Sequence, residues 1–399
     1  MLTAAIIFVA TYIAVALGYF PGLRLDRTGA AVVGAAFMVA FHVITPERAF
    51  ASIDMATLVL LFGMMVIVGN LRLAGFFRWA GAAVARRATT PRRLLAGLIL
   101  VTGVLSALFV NDTICLALTP LVIEVTGVLE VRATPYLIAL ATSSNIGSVA
   151  TLTGNPQNML IGVASKIPYA LFFQKLVLVS VVGLLLDFLV IAWIYRRDLA
   201  QPFAGPAQPR VRIHGFLMLK ALTASVVMLF FFFAGANLSM VALTAGATLL
   251  LTRRVKPEKV FLEVHWSLLT LFAGLFVVVG AARSAGLADW AFGVLHANEA
   301  HSLPAISLVC AALSNLVSNV PAIMLFIPLV PHLANPEAVW RALAMSSTLA
   351  GNLTLVGSIA NLIVAEGARR SCPISFREYL KVGVPLTVLT LGFGILWLR

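Results

Sequence analysis

Ser143-Ser144-Asn145-Ile146-Gly147-Ser148-Val149-Ala150-Thr151-Leu152-Thr153-Gly154-Asn155-Pro156-Gln157-Asn158 is a polar, glycine-rich run inside an otherwise apolar segment, Pro135 to Ala164. The apolar ends read as helix and the middle reads as a break. Pro156 has no backbone donor, and glycine permits unwinding. Backbone freed in this way is tolerated at membrane depth only inside protein or beside a water-filled cavity. Exposed helix N-termini there favour oxyanions or hydroxyl-rich solutes, and freed carbonyls favour cations. A second run, Ser346-Ser347-Thr348-Leu349-Ala350-Gly351-Asn352-Leu353-Thr354-Leu355-Val356-Gly357-Ser358-Ile359-Ala360-Asn361, has the same character. Small-residue packing between ordinary helices would explain either run alone. The recurrence and the density of amides argue instead for a lined site. Its expected residues are Ser144, Asn145, Gly147, Thr151, Thr153, Gly154, Asn155 and Asn158, with Thr348, Gly351, Asn352, Gly357, Ser358 and Asn361.

The two runs belong to a longer internal repeat. Glu47-Arg48-Ala49-Phe50 matches Glu258-Lys259-Val260-Phe261. Leu61-Phe62 and Val68-Gly69 match Leu271-Phe272 and Val279-Gly280, and Ala74-Gly75 and Trp79-Ala80 match Ala285-Gly286 and Trp290-Ala291. Leu105-Ser106 through Asn111 matches Leu313-Ser314 through Asn319, and Pro120-Leu121-Val122 matches Pro328-Leu329-Val330. Chance similarity between apolar helices does not produce so many matches in order.

Composition sets the class. The chain has 399 residues, 61% hydrophobic and 11% charged, with a mean hydropathy of +1.02. Soluble domains carry about 25% charged residues, so soluble, disordered and fibrous classes are excluded. The apolar runs are too long and continuous for a porin-like barrel. An all-α polytopic membrane protein remains, with room for roughly ten to thirteen spans. Met1 to Phe20 lacks a basic start and a small-residue cleavage site, and reads as the first span. Further spans are expected at Thr28 to Ile44, Ala56 to Leu71 and Leu171 to Tyr195. Cys115, Cys310 and Cys372 are far apart and the histidines scattered, so neither a metal site nor any cofactor is expected.

The architecture expected is two inverted repeats of five transmembrane helices, each with a re-entrant hairpin and a discontinuous helix. Repeat one covers 1–198, with hairpin 92–130 and broken helix 135–166. A linker covers 199–215. Repeat two covers 216–399, with hairpin 302–334 and broken helix 338–369. With this topology the linker side receives all of the 28 Lys and Arg except Arg48, Lys166, Lys175, Arg283, Arg341 and Arg399. The positive-inside rule makes that side cytoplasmic and both termini extracytoplasmic, in the cell inner (plasma) membrane. The net charge of +13 is then topological, and no nucleic-acid partner is expected. Inverted repeats with interrupted helices mark secondary transporters, whose site lies near the midplane. The chain has no Walker loop, GxSxG or HExxH motif, and no enzyme activity is expected.

Two polar triplets sit between apolar arms, Asn111-Asp112-Thr113 and Ser318-Asn319-Val320. Both read as hairpin tips that bind substrate or ion. Asp112 is the only acid at either tip, and a carboxylate buried there is a natural proton carrier. The alternative is that Asp112 only ties helix ends together. Asp187 lies within a span and has no repeat mate, so a structural hydrogen bond is the simpler reading. Glu124 reads as solvated or paired, and Asp54 and His265 as mates at helix starts.

These residues carry a family likeness. The chain resembles the arsenite/antimonite permease family of the ion transporter superfamily, and within it the silicic-acid efflux branch. The matching residues are Asn111-Asp112-Thr113 with Leu118-Thr119-Pro120, then 139–148, then Gly154-Asn155-Pro156-Gln157-Asn158. The resemblance implies a mobile transport domain moving against a scaffold, commonly as a homodimer. It implies proton-coupled efflux of a neutral metalloid hydroxide such as silicic acid or arsenite. In the symporter branch the tips carry Ser-Asn-Thr and bind sodium. Here Asp112 and Val320 replace two of those residues, which favours protons over sodium. The alternatives are a sodium-coupled anion or dicarboxylate symporter on the same fold, and a passive channel. The expected partners are the lipid bilayer, a small neutral metalloid solute, and protons or sodium.

Overall fold

The computed structural model describes residues 1–20, 23–203, 211–252, 255–287 and 302–399. Trp290 and Ala291 of the repeat, Arg210, Arg253 and Arg254 of the charge pattern, and 204–210 of the expected linker lie outside the described residues.

The first half opens with α1 (Leu2–Leu17), closed by Gly18 in a left-handed conformation at φ 74°. A short antiparallel ribbon follows, β1 (Tyr19–Phe20) and β2 (Leu23–Asp26), a departure from a purely helical chain. Next come α2 (Arg27–Ala40), α3 (Pro46–Ser52), α4 (Met55–Leu73) and the amphipathic α5 (Phe76–Arg87). The hairpin is α6 (Pro91–Leu108) and α7 (Asn111–Val128). The half closes with the interrupted pair α8 (Thr134–Ser148) and α9 (Pro156–Ser165), then α10 (Tyr169–Ile194).

The second half repeats this order: α11 (Gly215–Phe233), α12 (Leu238–Leu250), α13 (Pro257–Phe261), α14 (Trp266–Ser284), α15 (Leu303–Val317), α16 (Asn319–Phe326), α17 (Pro336–Ala350), α18 (Ile359–Ala368) and α19 (Phe376–Leu398). Among the described residues, α4, α6, α7, α10, α11, α14 and α19 are long and apolar enough to cross a membrane.

Local chemistry sets the helix starts. The Asp26 carboxylate accepts from Gly29 N–H at 2.8 Å and Asp54 from Thr57 N–H at 3.0 Å, each satisfying an orphan donor. Pro91, Pro156 and Pro336 stand in first turns, where a missing N–H costs nothing. Asp54 and His265 occupy the matching positions ahead of α4 and α14. Glu124 pairs with Arg78 at 3.2 Å on the exposed surface.

The halves interlock. α4 packs on α12 and α14 on α2, so each half's long helix lies against the other half. Glycine permits the approach, because a Cβ on Gly63 would lie 2.5 Å from the Ala242 carbonyl carbon, and one on Gly274 would lie 2.9 Å from that of Ala31. Gly63 and Gly274 are repeat mates, as are Ala31 and Ala242. Within each half, α6 packs on α8 and α15 on α17. The hairpins also cross between halves, α7 against α18 and α16 against α9.

One matched pair of contacts differs. Glu263 packs on Gly69 and forms an ion pair with Arg72 at 2.6 Å. The corresponding residue, Ser52, packs on Gly280, and Arg283 has no ion pair among the described residues.

Gly63→Val forces its new side chain into the Ala242 backbone and should destabilise the protein by about 1–3 kcal/mol. Gly392→Ala meets open space in α19 and should stabilise it by roughly 0.5–1 kcal/mol. Thermal unfolding of the detergent-solubilised variants checks both signs, and equal midpoints would refute the packing argument.

Candidate functional site

The interrupted helices define the site. Between α8 and α9 the chain leaves helical geometry over 149–155, and between α17 and α18 over 351–358. Each break frees carbonyls that lose their intrahelical partners. One asparagine per break satisfies them. Asn158 Nδ2 donates to the Ser148 and Thr151 carbonyls, both at 3.0 Å. Asn361 Nδ2 donates to the Gly351 and Thr354 carbonyls at 2.7 and 3.1 Å. The second helical pieces begin with side-chain caps: Asn155 Oδ1 accepts from Asn158 N–H at 2.8 Å, and Ser358 Oγ from Ala360 N–H at 3.2 Å.

Asn145 joins the two breaks. Its Oδ1 accepts from Asn111 Nδ2 and from the Ser358 hydroxyl, both at 3.0 Å. Its Nδ2 donates to Asn352 Oδ1 at 2.8 Å and Asn361 Oδ1 at 3.1 Å. Three of those four partners belong to the second half. Thr348, the repeat mate of Asn145, plays the reciprocal part, accepting from Asn155 Nδ2 at 3.1 Å and Gln157 Nε2 at 3.2 Å. Asn111, Asn145, Asn155, Asn158, Thr348, Asn352, Ser358 and Asn361 are all buried.

The hairpins bring their N-terminal turns to this cluster. The sequence places the first polar tip at Asn111-Asp112-Thr113. The chain in fact turns at Phe109 and Val110, and the triplet forms the first turn of α7. Asn111 N–H donates to the Gly154 carbonyl at 3.0 Å, docking the hairpin on the break. Asn319 opens α16, and its Nδ2 lies 3.4 Å from the Cβ position of Gly351. The residue before it, Ser318, has φ 78° and ψ 158°, a conformation ordinarily reserved for glycine. Asn111 Oδ1 and Asn319 Oδ1, at matching positions, are buried with no hydrogen-bond partner among the described residues.

Asp112 is 7% exposed and forms no hydrogen bond or ion pair within the described residues. Its place in the first turn of α7 sets it at the positive end of the helix dipole. One turn on, the Cys115 thiol donates to the Ser144 hydroxyl at 3.1 Å, and that hydroxyl donates to the Ala141 carbonyl.

Other expected residues brace the site from behind. Gly147 faces α6, where its Cβ would lie 2.1 Å from the Gly103 carbonyl oxygen. The Thr151 hydroxyl donates to the Ala107 carbonyl. Thr153 shares a 2.9 Å hydrogen bond with the Tyr169 hydroxyl of α10. Thr113 is half-buried and outside the network. Gly154 and Gly357 let the breaks fold tightly, with Cβ positions 2.4 Å from the Ser148 carbonyl oxygen and 2.9 Å from that of Gly351. Gln157, Ser148 and Asn315 join the network without having been singled out. Gln157 stands in the first turn after a break, a signal the sequence offered. Asn315 donates to the Ala350 carbonyl at 2.8 Å from the last turn of α15, and nothing in its local sequence marks it.

Known proteins place the chain. The family described as "Citrate transporter" matches residues 6–350. The silicon efflux transporter LSI3 of Oryza sativa subsp. japonica is 32% identical, covering 94% of this chain and 93% of that protein. The putative transporter arsB of Dictyostelium discoideum is 25% identical over 94% of this chain and 87% of its own. Among solved structures, the Alcanivorax borkumensis YdaH transporter aligns with a TM-score of 0.64 over 100% of this chain and 96% of its own, at 15% identity, which is a likeness of fold. The resemblance carried by the hairpin and break residues therefore holds across the chain, a multi-pass membrane transporter of the ion transporter superfamily that belongs to the citrate transporter family.

Proposed function

We propose that the protein exports a small neutral metalloid hydroxide, such as silicic acid or arsenite, in exchange for protons. The observation that carries this reading is the chemistry of the buried cluster. It is built of amides and hydroxyls, it contains no cationic side chain, and its one acid is Asp112. Amides and hydroxyls suit the hydroxyl groups of As(OH)3 or Si(OH)4, which both give and accept hydrogen bonds. An ionised carboxylate beside them repels an anion and accepts from a hydroxyl. The named activity of the silicon efflux relative agrees with this chemistry.

In the proposed cycle the site faces alternate sides of the membrane, with the linker side cytoplasmic. Asp112 takes a proton from the outer face and releases it to the inner face. The hairpins and interrupted helices move together against the helices that interlock through Gly63 and Gly274, in a homodimer. The two halves sit in the membrane with opposite orientation. Asn111 Oδ1 and Asn319 Oδ1, unpartnered and buried, are the acceptors that a solute hydroxyl would reach.

One observation favours a second reading, an anion or carboxylate transporter. A cavity of about 630 Å³ lies between α3 and α14 on one side and α9 and α16 on the other, and Arg48, Arg283 and Asp54 line it. Two guanidinium groups against the single Asp54 carboxylate would leave the cavity net positive and draw in an anion, in keeping with the family's description.

Inside-out vesicles with an acid interior should accumulate germanic acid and arsenite, and Asp112→Asn should cut that accumulation about tenfold or more. Transport that needs sodium instead, or no accumulation of either solute, would overturn the metalloid reading. Asn145→Ala leaves the Asn111, Asn352 and Asn361 amides and the Ser358 hydroxyl short of a partner, and each unmet buried group costs about 1–3 kcal/mol. That variant should lose both transport and thermal stability, whereas Thr113→Ala should change neither. In the second reading, Arg48→Gln with Arg283→Gln slows citrate uptake and leaves germanic acid untouched; unchanged citrate uptake would remove it.

A further inference from the structure

Asp187 of α10 lies outside the cluster and is fully buried. Its Oδ1 accepts from the Thr142 hydroxyl at 2.8 Å, and its Oδ2 has no partner among the described residues. α10 and α19 run antiparallel. Trp397 Nε1 donates to the Lys175 carbonyl at 2.9 Å, Gly183 faces Thr390, and the Tyr195 hydroxyl donates to Glu378 at 3.0 Å. Asp187 therefore lies opposite the stretch of α19 between Glu378 and Thr390. Two further buried oxygens without partners stand in that stretch, the Tyr379 hydroxyl and Thr387 Oγ1.

Among the described residues no cation pairs with the carboxylate. Thr142 bonds to it from α8, and Tyr379 and Thr387 stand on the stretch of α19 opposite it. α6, α11 and α17 also pack on α10. Their ionisable residues, Arg92 and Arg93, Lys220, and Glu337 and Arg341, sit in the first two turns of those helices, and none bonds to Asp187. A bare carboxylate in such surroundings is costly, and a bound proton removes the charge. Thr142 also links Asp187 to the solute site. Its main-chain carbonyl accepts from Asn352 Nδ2 at 3.2 Å, and Asn352 Oδ1 accepts from Asn145. A change in the bonding of Asn352 reaches Asp187 through one residue.

We propose that Asp187 is a second proton-carrying residue, so that each transport cycle moves two protons, one on Asp112 and one on Asp187, for one solute. The proton is held on Oδ2, taken up from the outer face and released to the inner one. An Asp187 that only anchored Thr142 would need an acceptor oxygen, which asparagine also provides. A proton carrier needs a group that titrates, which asparagine does not provide.

The inference rests on the proton-antiport reading above, and the test separates the two. Proteoliposomes with the membrane potential clamped at zero and a pH gradient of about one unit report the steady-state accumulation of germanic acid. Each coupled proton contributes about tenfold per pH unit. The wild type should reach about 100-fold, Asp187→Asn about tenfold, and Asp187→Glu, which still titrates, about 100-fold again. A wild type that stops at about tenfold overturns the second proton, whatever the folding of any variant. So does Asp187→Asn that still reaches about 100-fold, and in either case the antiport reading stands. A wild type with no gradient-driven accumulation overturns the antiport reading itself, and the second proton with it.

Discussion

Helices interrupted in mid-course leave backbone carbonyls and N–H groups that water cannot satisfy, and the rest of this structure follows from how they are satisfied instead. Asn158 and Asn361 each reach back across a break to two carbonyls, at the same spacing along the chain. The Gly154 carbonyl takes the Asn111 N–H, which seats the first hairpin. Asn145 spends its full hydrogen-bonding capacity on both breaks and one hairpin. A polar cluster so fully connected is rigid, because loosening one member strands several others. Three amide oxygens of the cluster, Asn111 Oδ1, Asn158 Oδ1 and Asn319 Oδ1, are left without a partner among the described residues.

The repeat recurs in the contacts of the fold, and the two halves differ at a few matched positions. Gly63 on Ala242 and Gly274 on Ala31 are the same contact made twice. The mates differ at three places in particular. Asp112 corresponds to Val320, so one hairpin carries a carboxylate where the other carries an apolar side chain. Asn145 corresponds to Thr348, so one break sends out an amide and the other a hydroxyl. Glu263 closes on Arg72, whereas Ser52 leaves Arg283 without an ion pair beside an open cavity.

The breaks were legible in the sequence because they change composition over a short distance: amides, glycine and proline inside an apolar run cannot be ordinary helix. Asn145, Asn155, Asn158, Asn352 and Asn361 were found in this way. The turn at Phe109 and Val110 was not, since polarity marked Asn111 to Thr113 and the chain bends two residues earlier, at apolar positions. Gly147, Thr151 and Thr153 carry the right chemistry for a site, yet each turns toward a neighbouring helix. Local sequence records what a residue can bond to, and its helix's neighbours decide what it does bond to. Asn315 and Asp187 illustrate the reverse case, polar residues in apolar helices whose partners lie on other elements.

The sequence by itself determined that this chain lives in a membrane, that it is built twice, and that two of its helices are broken. Each follows from hydropathy, internal likeness and backbone chemistry, which act over a few residues at a time. Only the tertiary structure decided that the halves interlock through α4 on α12 and α14 on α2, that Asn145 joins both breaks, and that Thr142 stands between the cluster and Asp187. Those contacts join residues far apart in the chain, and hydrogen bonds depend on distances of a few tenths of an ångström that no linear pattern encodes.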